Sequence, residues 1–431
     1  MLKHFLMIIV VSQALVACST PNTSANTAQN FADHDRINRH LRNMKGSIDF
    51  IKKHAYSAEE RTFYSDIDNY GNITSNKVYL VSLSRTIYAL AYSSTYFPEN
   101  LALAKQAAQF LKQRLIHHAE GETYFITEFD VTNTLATNIN NTTQLDIWQQ
   151  AYGLVGLVEL YRHWPNPELL ATIEQMHNAF IKRFSDRKHG GFYGNVHLVN
   201  GADISSKTLQ STIYPVTAYM NNLWLASPTP NKYESTLAQQ AEFAFQYLWN
   251  AEKGWVNVKL QANWNTCKNS RGESFSVAPG HNFQLAWLLM NTQNWRFLAP
   301  EQREKYTQLG KHIVTTTLAK PIWDGAVNKG FFAAYNPANS ERLSDEKTWW
   351  QHSEALIALS FYERDGPELR ALLDFFENHF IDHVNGGEFF HIDNNNQPIT
   401  THAKSSLGKS AYHTVEMYRY LIESLASANL D

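Results

Sequence analysis

The stretch Pro279-Gly280-His281-Asn282-Phe283-Gln284-Leu285-Ala286-Trp287-Leu288-Leu289-Met290 decides how the chain is read. Pro-Gly breaks whatever precedes it, and Phe283, Trp287 and Met290 then recur at the spacing of one helix face. The spacing predicts a helix with His281 on the turn at its mouth. An imidazole placed there has a free edge and titrates near neutrality, which suits proton transfer. A capping or solvent-facing histidine would occupy the same place, so the company His281 keeps elsewhere in the chain has to decide.

Outward from this stretch the same period recurs, as in Val81, Ile87, Leu90 and Ala91, or Leu356, Ile357, Leu359 and Phe361. It predicts twelve helices, near 34–55, 77–95, 99–118, 143–163, 166–184, 207–226, 233–250, 280–293, 299–319, 346–364, 366–381 and 408–427. Pro and Gly punctuate the joints, at Pro98, Pro165, Pro167, Pro228, Pro230, Pro300 and Gly366-Pro367. Alternate joints are longer. Two of them, from Gly190-Gly191 and from Gly386-Gly387, read as short β-hairpins and form a weak internal repeat. Six helical hairpins closed into an all-α (α/α)6 barrel fit this count, and an open helical solenoid is the alternative.

Residues 1–18, MLKHFLMIIVVSQALVAC, carry one early lysine and an apolar run too short to span a bilayer. They read as an export signal ending in a lipobox, with Cys18 as the lipidated residue and Ser19 favouring the outer membrane facing the periplasm. Residues 19–32 are small and polar and read as a flexible tether; residues 33–431 form one domain. An ordinary secretory signal is the other reading of the first 18 residues. Cys267 is the one remaining cysteine, which excludes an internal disulfide framework. A net charge of −3 with both signs interspersed leaves no footprint for nucleic acid. The expected partners are a membrane, through the anchor, and a small saccharide. The 11 Trp, 21 Tyr and 24 Phe supply a core and, in part, platforms for pyranose faces.

Five segments place polar groups at corresponding helix ends: Ser84-Arg85, Lys207 to Tyr214, Gly280-His281, Lys347 to Glu354, and Gly408 to His413. These segments resemble the N-acylglucosamine 2-epimerase and cellobiose 2-epimerase family, which includes aldose–ketose isomerases. Gly280-His281 to Trp287 is similar to its GH-x-x-E-x-x-W pattern. Lys347, Trp349, Trp350 and Glu354 match K-x-W-W-x-x-x-E, and Lys409, Tyr412 and His413 match K-x-x-[YF]-H. The resemblance implies the (α/α)6 fold and C2 epimerisation or 1,2-isomerisation of a reducing sugar. His281 and His413 would exchange acid and base roles, and Arg85 would stabilise the enediolate. Trp349 and Trp350 would shape the sugar platform, Glu354 would bind a hydroxyl or orient an imidazole, and Gln284, Tyr214 and Lys409 would complete the substrate site. Neither a cofactor nor a metal is implied.

Three positions depart from the family pattern. Gln284 replaces a Glu and should accept a hydrogen bond from His281 without stabilising its charged form. Thr212 and Tyr214 stand where relatives carry histidine, and Glu416 stands where they carry Arg. These departures leave two alternatives: a glycan-binding lipoprotein without catalysis, and a glycoside hydrolase with Glu354 and Glu388 as candidate acids. His54, His117 and His118 read as surface residues at helix ends, and His352 as a weaker candidate for the site.

Overall fold

The computed structural model describes residues 23–119, 121–132, 144–198, 201–202, 206–325 and 330–427, with side chains from Asp33 onward. Cys18 and the export signal expected over residues 1–18 lie outside the described residues. Among the described residues twelve long helical stretches follow one another: α1 Thr23–His54, α2 Leu80–Ser93, α3 Asn100–Arg114, α4 Ile147–His163 and α5 Pro167–Phe184. α6 runs without interruption through Leu209–Tyr214, Pro215–Met220 and Asn221–Ala226, and α7 through Asn231–Phe243 and Ala244–Leu248. α8 Pro279–Asn291, α9 Pro300–Leu318, α10 Trp349–Tyr362, α11 Pro367–His379 and α12 Tyr412–Ser427 complete the set. Among the described residues no helix is long and apolar enough to cross a membrane.

The helices sort into two kinds by burial. α2 is buried at every position, and α4, α8 and α10 nearly so, as expected of helices apolar all round. Between them α3, α5, α7, α9 and α11 bury one stripe and expose the other. The buried helices pack in sequence, α2 on α4, α4 on α6, α6 on α8, α8 on α10 and α10 on α12, and α12 returns to α2. The approach of α2 to α4 is held by Ser84. Its hydroxyl donates to Gly153 O and accepts from the Gly156 N–H, each at 3.0 Å. A Cβ on Gly156 would come within 2.2 Å of Ser84 O, so only glycine lets α2 and α4 meet here. Inside α6, Pro215 has no N–H to continue the ladder, and the turn widens to a π-helix.

Several boundaries differ from the sequence-based expectation for identifiable reasons. The segments expected to open helices at 77, 143, 207 and 346 first pair as short strands. Lys77–Tyr79 pairs with Glu128–Asp130, Gln144–Asp146 with Asn195–His197, Lys207–Thr208 with Lys259–Leu260, and Lys347–Thr348 with His391–Ile392. His117 and His118 belong to the strand Ile116–Ala119 and not to the end of α3. The tether expected over residues 19–32 is helical from Thr23, because adding turns to an existing helix avoids the cost of nucleation.

The two Gly-Gly hairpins share one internal clamp, so the weak repeat has a physical basis. Asp186 Oδ1 accepts the N–H of Lys188 and His189, while the buried Lys207 ammonium donates to Asp186 Oδ2 (2.7 Å) and Gly190 O (2.6 Å). In the second copy Asp382 accepts from Val384 and Asn385, and Lys404 donates to Asp382 Oδ2 (2.5 Å) and Gly386 O (2.7 Å). The paired glycines take φ of 74° and 71°, and of 82° and 69°, which folds each hairpin over its lysine. Lys347 is used similarly, donating to Asn396 Oδ1 at 2.8 Å and pairing with Asp324 Oδ2 at 2.8 Å.

Removing one partner strands the other charge in the interior, so Lys404→Met should destabilise the fold by about 3 kcal/mol in urea unfolding. Burial opposes ionisation of Asp382, but the Lys404 and backbone donors outweigh it and hold the carboxyl at about 2. That contribution is complete above the ordinary carboxylate range, near ~4, and is lost as pH falls through about 2. Asp382→Asn should therefore flatten the stability curve between these limits; an unchanged acid limb would contradict the clamp.

Candidate active site

The buried helices present side chains in register. The sixth residue of α2, α4, α6, α8 and α10 is Arg85, Tyr152, Tyr214, Gln284 and Glu354 in turn, and Glu416 is the fifth of α12. One turn nearer the N-termini stand Trp148, Gln210, Trp350 and His413, each the second residue of its helix, with His281 third in α8. Residues three or four apart lie on one helix face, so these form two stacked layers.

The deeper layer is buried and cross-linked. The Arg85 guanidinium lies 4.1 Å from the Tyr152 ring centroid and 5.1 Å from that of Tyr412, and donates to Gly408 O. Tyr152 in turn meets Tyr214 at 5.5 Å and Tyr412 at 5.7 Å, both edge-on. Glu354 accepts from the Trp287 indole N–H at 2.6 Å and from the Gln284 amide at 3.2 Å, and its Oε1 stands 3.3 Å from His413 Nδ1. Glu416 accepts from the Tyr412 hydroxyl at 2.7 Å. Donor atoms of Glu354, His413 and Glu416 all lie within 4.8 Å of one another.

In the outer layer the Trp350 ring lies 5.2 Å from the imidazole of His281 and 6.2 Å from that of His413. Trp349 backs His413 edge-on at 5.4 Å. His281 and Trp350 keep partly accessible edges, whereas Trp349 and His413 are buried. Burial lowers His281 to about 4 and His413 well below the usual imidazole range, with Arg85 and Lys409 adding to the second shift. Both rings are neutral at pH 7. Burial raises Glu354, the Glu416 charge adds to it, and the Trp287 bond and Arg85 oppose it. Burial likewise raises Glu416 against Tyr412, Arg419 and Arg85.

The model of N-acylglucosamine 2-epimerase (GlcNAc 2-epimerase) matches residues 62–417. The chain belongs to that family. It is an enzyme of the carbohydrate epimerase and isomerase class. A D-mannose isomerase from Marinomonas mediterranea is 24% identical over 373 residues, covering 79% of this chain and 85% of its own length. A cellobiose 2-epimerase from Ruminococcus albus is 23% identical over 322 residues, 70% of this chain and 76% of its own. A crystal structure of a D-mannose isomerase shares the fold with a TM-score of 0.74 at 18% identity, over 90% of this chain and 97% of that one. A family 76 glycoside hydrolase from a bovine Bacteroides thetaiotaomicron strain has a TM-score of 0.61 at 10% identity, over 89% and 77%.

The family motifs thus fall into two groups in this structure. His281, His413, Arg85, Glu354, Trp349, Trp350, Gln284 and Tyr214 share the two layers. Lys409 stands apart from them: its buried ammonium donates to Lys404 O at 2.8 Å, pairs with Glu388 Oε2 at 3.7 Å and lies 4.8 Å from the Trp349 ring. Lys347 belongs to the hairpin clamp, and Ser84 to the α2–α4 contact. Gln284 turns its amide to Glu354 and leaves His281 Nδ1 without a partner, contrary to the expected bond between them. His352 is a core residue: it accepts from the Phe331 N–H at 3.2 Å, its Nδ1 meets Thr348 O at 2.7 Å, and it stacks on Phe331. Tyr152 escaped the sequence reading; the signal that finds it is the sixth-residue register. Glu388 is tied to Lys409, and the carboxyl close to Glu354 is Glu416.

Glu416→Gln removes a like charge beside Glu354, which should then ionise at lower pH. The infrared band of a protonated buried carboxyl, followed by pH titration, checks this; a band that titrates as in the parent protein would contradict the coupling.

Proposed function

We propose that this protein epimerises or isomerises a reducing saccharide at C2, in an (α/α)6 barrel whose inner wall is the ring of buried helices, by proton transfer through His281 and His413. The observation that carries this reading is that both imidazoles border the partly exposed indole of Trp350. A pyranose or its open chain laid on that ring would have a base at either side. One neutral imidazole takes the C2 proton beside the C1 aldehyde, giving an enediolate. Return of a proton to the opposite face gives the epimer, and return to C1 gives the ketose. Each such transfer is worth roughly 10²–10⁴-fold in rate.

Two neutral rings are weak acids, and Glu354 offsets this. Its raised carboxyl beside His413 Nδ1 keeps a proton within the pair, so the imidazole can donate from its other nitrogen while the carboxyl reloads it. Arg85, fixed between Tyr152 and Tyr412, supplies positive charge under the developing enediolate. Free mannose and short mannosides or glucosides are the substrate class to try first, since the relatives named for D-mannose and cellobiose act on such sugars.

The leaderless protein should be incubated with mannose, glucose, N-acetylmannosamine, cellobiose and mannobiose, followed by proton NMR. New anomeric signals are expected with at least one sugar, and His281→Ala or His413→Ala should slow their growth by about 10²-fold or more. Loss of a glycosidic signal in the disaccharides, with no epimer or ketose, would replace this reading with hydrolysis.

A further inference from the structure

We propose that Glu346, His391 and His402 form a divalent transition-metal site, suited to Zn2+, on the hairpin beside the candidate active site. Three separate segments bring the donors together. Glu346 precedes the Lys347–Thr348 strand, His391 lies opposite Thr348 in the partner strand, and His402 lies on the loop that returns towards α12. His391 Nδ1 is 2.6 Å from Glu346 Oε2, and His402 Nε2 is 3.7 Å from Glu346 Oε1. One donor atom from each residue falls within 4.8 Å of the other two.

Ordinary pairing does not account for the cluster. The short His391–Glu346 contact lacks hydrogen-bond geometry, and His391 Nδ1 has no other partner. The two imidazoles are stacked at 4.1 Å and 23°, with Glu346 beside both. One divalent ion would engage all three donors at once. Two imidazoles and a carboxylate are a common donor set for zinc, at about 2.0–2.2 Å, and leave the fourth tetrahedral position to water. All three residues are partly exposed, so an ion can reach them from solvent.

The site adjoins the sugar platform. Phe390 lies 4.4 Å from the His391 ring and 5.0 Å from Trp349, and Phe390 O accepts the Trp349 N–H at 3.2 Å. A bound ion would pin the loop carrying His402 to the segment that leads into Trp349 and Trp350.

Protein dialysed against EDTA should be titrated with ZnCl2 by calorimetry and with CoCl2 by absorption, with circular dichroism melts of every variant. One saturable ion, tetrahedral Co2+ bands, and at least about tenfold weaker binding in Glu346→Gln and in His402→Ala are expected, since even outer-shell losses cost 10–100-fold. His312→Ala, on the exposed side of α9, should bind as the parent does. No saturable binding, or equal affinity in folded Glu346→Gln and His402→Ala, would overturn the site and leave the cluster a surface ion pair.

Discussion

The arrangement depends on a carboxyl that water does not reach. Glu354 projects from α10 and is fixed by Trp287 and Gln284 of α8, with His413 of α12 beside it. Three successive buried helices therefore share one polar contact, and none can slide by a turn without stranding that group. An unpaired buried carboxylate is costly, so the contact selects one register of the helices as well as one state of the carboxyl. With Glu416 close by, the state selected near neutrality carries a proton. Structure and reactivity thus rest on the same constraint.

Around it, two kinds of lysine motif divide the labour. Lys207, Lys347 and Lys404 hold hairpins over the N-terminal ends of the buried helices through aspartate and backbone carbonyl partners. Lys409 stiffens the support of Trp349. None of these ammonium groups is left free for a sugar. The positive charge that faces the site comes from Arg85, held between two tyrosine rings where its side chain has little freedom to move.

Much of this was legible in the sequence, because apolar runs of helical length recur along the chain and the joints are marked by Pro and Gly. The twelve helices could be read that way, and the residues His281, His413, Arg85, Glu354, Trp349 and Trp350 from the resemblance of their segments to the family motifs. What could not be read are relations across the chain. Short strands replace the first residues of several helices because their partners lie far along the chain, as Thr348 and His391 do. Gln284 faces Glu354 rather than His281 because α10 packs against α8. Tyr152 has no motif of its own and becomes visible only when the sixth residues of successive helices are compared. The Glu346, His391 and His402 cluster has no sequence spacing at all; strand pairing assembles it.

The most direct test of the central claim is hydrogen exchange at C2 in D2O for each single-histidine variant, starting from either sugar of the interconverted pair. If His281 and His413 serve opposite faces, each variant should still exchange the C2 hydrogen of one sugar while failing to convert it to the other. His281→Ala and His413→Ala should then be complementary in which sugar they label. Variants that both lose exchange with both sugars, or that both retain conversion, would contradict a mechanism shared between the two imidazoles.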